Sequence, residues 1–185
     1  MALLGHTSKA EASFPCEPSL IFEILTDYDG YMEWVPLLTQ SKLLAKEGDL
    51  ALAEVSLQEP IEDKLVFECI HDKNRSVLLR AISGELPVAK VEWSIEPVGP
   101  SECKVAVVME GKPDRRWLLP SYRKVLDADV HMGALKGQIS AFSPELHVSG
   151  PGGEVILDLL ETEEGMMLIY RGQKYLLQPI AEKQA

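Results

Sequence analysis

The sequence predicts an α+β domain: a curved antiparallel sheet of about seven strands wrapped around one long helix toward the C-terminal end. Three observations predict it. From Leu37 to Gly111, apolar and polar residues alternate with period 2 in short blocks bounded by turn residues, the pattern of strands with one dry face and one wet face. From 120 to 142 the period lengthens to that of an amphipathic helix. The hydrophobic fraction is 46% of 185 residues, which suits one domain with a small appendage.

The elements follow in order. Residues 7–14 form a weakly patterned first strand ending at Phe14-Pro15. Pro18 suits the first position of a helix, because its missing N–H has no partner there anyway. Ile21, Ile24, Leu25 and Tyr28 follow at helical spacing. Asp29-Gly30 breaks that helix, and a short second helix from Tyr31 to Val35 ends against Pro36. The alternating blocks come next. Ala51, Ala53, Val55 and Leu57 share one face; so do Leu65, Phe67 and Cys69; Val77, Leu79 and Ala81; Ala89, Val91, Trp93 and Ile95; and Cys103, Val105, Val107 and Met109. Turns at 47–49, 72–74, 83–84 and 98–101 separate them. Such short connections imply a meander.

Tyr122, Val125, Ala128, Met132, Leu135, Ile139 and Phe142 then recur at steps of 3 or 4, with Lys124, Asp127, His131 and Gln138 on the opposite side. This reads as one helix of about 22 residues, roughly 33 Å long. Gly133 and Gly137 lie one turn apart and predict a close approach of helix backbone to sheet. Ser143-Pro144 ends the helix, and Gly150–Gly153 reads as a linker. Val155–Leu160 and Met166–Tyr170 flank a turn and read as a hairpin, with Tyr175–Ile180 as a further strand. The expected organisation is a main domain over 1–145 and an extension over 146–185, a hairpin too small to fold alone and packed on the main body.

Composition narrows the function classes. The net charge is −11 and the sequence pI about 4.8, so a nucleic-acid backbone is repelled by the chain as a whole. The basic run Lys112, Arg115, Arg116, Arg123 and Lys124 reads as a solvated helix start, with a phosphate or headgroup contact as the sharper alternative. Cys16, Cys69 and Cys103 are odd in number and far apart in sequence, which argues against a disulfide framework or zinc site and for a reducing cytoplasm. The opening Met-Ala-Leu-Leu-Gly-His is too short for an export signal, and no run of about 20 apolar residues spans a bilayer. No metal and no cofactor are expected. His6, His71, His131 and His147 are scattered, with His131 on the wet side of its helix, and no nucleophile elbow or Walker loop occurs.

The dry face carries many small residues, Ala51, Ala53, Ala81, Ala89, Cys69 and Cys103. Opposite a helix, such a face either packs tightly or leaves room for a small molecule. The candidate lining is Tyr28, Tyr31, Trp34, Val55, Phe67, Leu79, Trp93, Val107, Met109, Tyr122, Val125 and Met132. Trp34 reads first as a packing anchor between helix and sheet and second as a stacking surface at the cavity mouth, while Trp93 reads equally as cavity wall or core. The tyrosines read first as packing at a rim, and their hydroxyls offer orientation or proton transfer. Arg80 faces outward in this register and pairs with Glu68 across neighbouring strands; a one-residue slip turns it inward as a polar anchor. Asp27 and Asp29 read as a helix-ending turn rather than a carboxylate pair.

Two stretches carry a resemblance. Residues 18–36, with Asp27-Tyr28, Gly30-Tyr31 and Trp34-Val35-Pro36, and residues 91–97 followed by a strand and Leu119-Pro120 resemble the START-like helix-grip superfamily. Within it they resemble the polyketide cyclase/dehydrase and lipid-transport branch, which includes Coq10-type proteins. The resemblance covers about residues 7–143. It implies the helix-grip fold and an apolar ligand: a lipid, an isoprenoid quinone or a polyketide-like molecule. It does not by itself imply catalysis. Three readings result: a non-catalytic carrier of a small hydrophobic ligand, an aromatase or cyclase using Arg80 and a tyrosine, and an interaction module using the acidic surface or the tail.

Overall fold

Each alternating block forms a strand. The computed structural model describes residues 5–142, 145–150, 153–162, 165–170 and 173–176, and it divides into two compact units, Met1–Lys136 and Gly137–Ala185. In the first unit β1 (His6–Phe14), β2 (Leu38–Glu47), β3 (Leu50–Leu57), β4 (Lys64–Asp72), β5 (Ser76–Ser83), β6 (Val88–Gly99) and β7 (Glu102–Gly111) make one seven-stranded sheet. Its order is β1-β7-β6-β5-β4-β3-β2, a meander from β2 to β7 with β1 added beside β7. All pairings are antiparallel.

The period-2 face is the buried face. Ala51, Ala53, Val55 and Leu57 of β3, and Cys103, Val105, Val107 and Met109 of β7, are all buried. Ala81 and Ala89, expected on the same face, are only half-buried. The reason at Ala89 is a bulge: the β6–β7 register shifts between Val88 and Lys90. An extra residue in one strand reverses its inside–outside phase, so Val88 takes the buried position instead.

α1 (Pro18–Thr26) begins with Pro18 at its first turn. It sets Ile21 and Leu25 fully out of solvent, each worth roughly 1.5–3 kcal/mol of apolar burial, over β5 and β6. The Asp27–Gly30 turn that follows is held by its own carboxylates. Asp27 Oδ1 accepts from Gly30 N at 3.3 Å, and Asp29 Oδ1 accepts from Leu43 N on β2 at 2.8 Å. α2 (Tyr31–Trp34) stops before Pro36.

The long helix is broken. α3 (Pro120–Arg123) passes into a 3-10 turn (Lys124–Leu126), Asp127 is extended, and α4 (Ala128–Phe142) starts afresh. The Asp127 carboxylate accepts from the backbone N–H groups of Asp129 at 3.1 Å and Val130 at 3.3 Å. That is an N-cap, and it stabilises a new helix start rather than a helix interior. Ser8 on β1 anchors this start, its Oγ accepting from Ala128 N at 2.8 Å. Gly133 and Gly137 are exposed, and no described atom lies within 4 Å of where a Cβ would stand. They give no close approach, contrary to the expectation.

The second unit contains β8 (Glu145–Gly150), β9 (Gly153–Thr162), β10 (Gly165–Tyr170) and β11 (Gln173–Leu176), in the antiparallel order β11-β10-β9-β8. The hairpin expected from the sequence is β9–β10. Gly150 and Gly153, expected in a linker, pair as the last rung of β8–β9. Residues 177–180 of the expected last strand lie outside the described residues, as does the side chain of His147.

Candidate functional site: an apolar cavity under the sheet

Part of the inner face does not close. Val55 and Leu57 of β3, Leu65 and Phe67 of β4, Leu79 of β5, and Met109 of β7 surround a cavity of about 70 Å³. The β6 bulge contributes to it directly. It brings both Val88 and Val91 to the lining, three residues apart rather than two, with Trp93 beyond them. Tyr31, Trp34, Val35, Pro36 and Leu38 form one side, and Val125, Leu126 and His131 the other. Trp34, Val35, Pro36 and Leu38 are half-buried, which locates the rim between α2 and β2.

Few polar groups reach this space. The Tyr31 hydroxyl donates to the carbonyl of Leu25 and is held protonated, its pKa pushed well up by burial. His131 is buried, against the expectation that it faces water. It lies one turn from both Ala128 and Leu135, which are fully buried, so the apolar stripe of α4 is wide enough to include it. Burial holds its pKa below the ordinary histidine value, opposed in part by its contact with Val125. Its Nε2 lies 3.0 Å from the Val125 carbonyl. A carbonyl only accepts, so Nε2 carries the proton.

A second buried polar group lies off the cavity. The Tyr28 hydroxyl is 2.6 Å from His71 Nε2, and the two rings stack at 5.9 Å. Burial lowers the His71 pKa, with Lys46 adding to the shift, and raises that of Tyr28. The imidazole is therefore neutral and the phenol donates. Cys16, Cys69 and Cys103 are free and buried. Burial pushes the Cys16 thiol up to about 12 and the Cys69 thiol to about 11, so neither is a ready nucleophile. Among the described residues no cluster of His, Cys, Asp or Glu forms a candidate metal site.

The sequence profile described as polyketide cyclase/dehydrase and lipid transport matches residues 14–132. The chain belongs to that family. Its fold is a hydrophobic-ligand-binding one, and the same fold is found in solved structures of low identity. A START superfamily protein from Mycobacterium smegmatis aligns with TM-score 0.62 at 17% identity, over 74% of this chain and 98% of that one. The ZhuI aromatase/cyclase from Streptomyces sp. R1128 aligns with TM-score 0.61 at 12% identity, over 73% and 93%. A protein from Thermus thermophilus aligns with TM-score 0.58 at 14% identity, over 74% and 98%. No curated protein matches the sequence.

In this member of the polyketide cyclase/dehydrase and lipid transport family, the structure brings together Tyr31, Trp34, Val55, Phe67, Leu79, Trp93, Met109 and Val125 around the cavity. Four other candidates lie elsewhere. Tyr28 is buried against His71. Val107 is buried beside Trp93 on the neighbouring strand, away from the lining. Met132 is buried but does not border the space. Tyr122 stands half-exposed beside a surface cleft with Asp63 and Arg116, because the break at Asp127 detaches α3 from the phase of α4. Arg80 points outward, with its guanidinium 3.5 Å from Glu68 across β4–β5, and is no anchor inside the cavity. In the basic run, Arg116 is paired with Asp114 at 3.0 Å, and Trp117 is buried and donates to the Lys112 carbonyl at 2.8 Å.

The sequence reading missed Val88, Val91 as a partner of Val88, Leu126 and His131. It also missed the rim residues Val35, Pro36 and Leu38 and the strand residues Leu57 and Leu65. Two signals were available. Leu57 and Leu65 already sat on the dry face by period, and Asp127 is a preferred N-cap residue.

Proposed function

We propose that this chain is a carrier that holds a small hydrophobic molecule in the cavity beneath the sheet. The carrying observation is the lining itself: aliphatic and aromatic side chains from six strands, with side-chain polar atoms from Tyr31, Trp34, Trp93 and His131 among the described residues. Desolvating apolar area drives binding into such a space, at about 25 cal/mol per Å² removed from water. Family membership supports the same class of guest.

The room of about 70 Å³ is well below the roughly 300–1,000 Å³ of clefts that hold drug-sized molecules. A lipid, an isoprenoid quinone or a polyketide-like guest therefore enters by displacing the half-buried rim of Trp34, Val35, Pro36 and Leu38. The carrier reading is favoured over the cyclase reading because Arg80, the charged anchor that a cyclase needed, is paired with Glu68 on the outer face. Three free, buried cysteines favour a reducing compartment such as the cytoplasm. Among the described residues no helix is long and apolar enough to cross a membrane.

Titration of the full chain with the neutral fluorophore N-phenyl-1-naphthylamine tests the proposal, alongside native mass spectrometry of the freshly purified protein. The expected result is saturable one-to-one uptake that Val88→Phe, which fills the cavity, weakens by at least about tenfold. Absence of uptake by the wild-type chain, or equal uptake by the filled variant, overturns it.

A further inference from the structure

His131 lines the cavity with one ring nitrogen bonded and no described donor at the other. Its Nε2–H donates to the Val125 carbonyl at 3.0 Å. That bond exists because the helix breaks. In a continuous helix the Val125 carbonyl accepts from the N–H of Asp129, four residues on; here the Asp129 N–H turns to the Asp127 carboxylate instead. The ring folds back under the break and takes the carbonyl that the break has freed. The backbone N–H of His131 meanwhile donates to the Asp127 carbonyl at 3.2 Å. Both contacts fix the ring's place at the first turn of α4.

With the proton on Nε2, Nδ1 keeps its lone pair and is a pure acceptor. No described residue donates to it, whereas no side-chain nitrogen or oxygen sealed from solvent-sized space lacks a partner among the described residues. Nδ1 is thus the ring nitrogen left to meet a guest among the described residues, and the space that His131 borders is the cavity. The other polar side chains of the lining do not duplicate it. The Tyr31 proton is committed to Leu25, and an indole such as that of Trp34 only donates.

We propose that His131 Nδ1 is the hydrogen-bond acceptor of the cavity, and that its ligand is an apolar molecule bearing a hydroxyl-type donor (a phenol, an enol or an alcohol) seated against the first turn of α4. This rests on the carrier reading and sharpens it: a pure hydrocarbon leaves a buried acceptor unpaired, which a hydroxylated guest of the same shape corrects. Burial also keeps the ring neutral, and so accepting, at neutral pH.

Phenol and toluene have the same shape and differ by one hydroxyl against one methyl, so the ratio of their affinities for the full chain isolates the donor. The expected result is that His131→Phe shifts this ratio about fivefold toward toluene, the worth of one ordinary hydrogen bond. The ¹⁵N resonance of Nδ1 in the wild-type protein is expected to be unprotonated, to move on adding phenol and to stay on adding toluene. This second readout needs no variant, so it decides the matter even if His131→Phe does not fold. If both ligands bind but the ratio is unchanged in the variant, or Nδ1 does not respond to phenol, the acceptor role is overturned and the carrier stands. If neither ligand binds, the carrier reading itself falls.

Discussion

One sheet face behaves in two ways. Toward the end of β6 and the start of β7 it is solid. The rungs Ile95–Val105 and Val77–Trp93–Val107 lie side by side, their residues are almost wholly buried, α1 lies over the β5 and β6 strands there, and Trp93 marks where the cavity begins. Toward the end of β3 and the start of β4 it is hollow. The rung Val55–Leu65 and the rung Leu79–Val91–Met109 border free room. The residue types are much the same at both ends. The difference lies in what covers them. A continuous apolar helix face closes one end, while at the other the chain spends its coverage on a short α2, a proline-ended rim and a helix interrupted at Asp127. Two histidines mirror the contrast. Each has its Nε2 paired, but the His71 ring stacks on Tyr28 and meets the edge of Phe22 away from the cavity, whereas the His131 ring borders the cavity.

Truncation breaks the comparison most sharply at the solid end. Leu25→Ala is expected to cost about 2–5 kcal/mol, because a close-packed site relaxes poorly around a new void. Val88→Phe at the hollow end adds volume where volume is free and is expected to cost under about 1.5 kcal/mol. Equal penalties in urea denaturation contradict the distinction. Gly111, across from Val88 on β6, gives a control whose clash is with Trp117, outside the described cavity lining. A Cβ there meets the Trp117 ring at 2.5 Å, so Gly111→Ala is expected to cost about 1–3 kcal/mol by overpacking, with probe uptake preserved.

The histidines set a pH dependence of known sign. Both have folded-state pKa values below the ordinary histidine value, chiefly through burial, so the unfolded chain binds more protons as pH falls through that value. The stability they contribute is complete above about pH 6.5 and is lost progressively below it, by at most about 1.4 kcal/mol per pH unit for each ring. His131→Phe flattens the decline in urea-melt stability between pH 7 and 5; a decline unchanged in that variant contradicts it. The smallest effect is expected at Arg80. Its exposed pair with Glu68 is worth under about 1 kcal/mol, so Arg80→Ala leaves both stability and probe uptake near wild type. A large loss of uptake reopens the inward-facing reading.

Much of the fold was legible because burial follows period. Leu65, Phe67 and Cys69, or Cys103, Val105, Val107 and Met109, could be assigned to the inner face from alternation alone. The cavity was legible only in part, for three physical reasons. A bulge is one residue in one strand and leaves no mark on composition, so Ala89 was assigned the place that Val88 holds. Unbroken spacing from Tyr122 to Phe142 hid a cap at Asp127 that interrupts the helix without interrupting the pattern. His131 was read as wet because it is polar, although it sits a turn from two fully buried residues. Free volume depends on the distance between layers, which no residue type encodes.

Methyl-resolved NMR of the full chain titrated with toluene tests the central claim most directly. The account predicts saturable shifts gathered on Val55, Leu65, Leu79, Val88 and Met109, with Leu25, Val77 and Val105 silent. Shifts spread evenly over both ends of the sheet, or no saturable shift at all, contradict it.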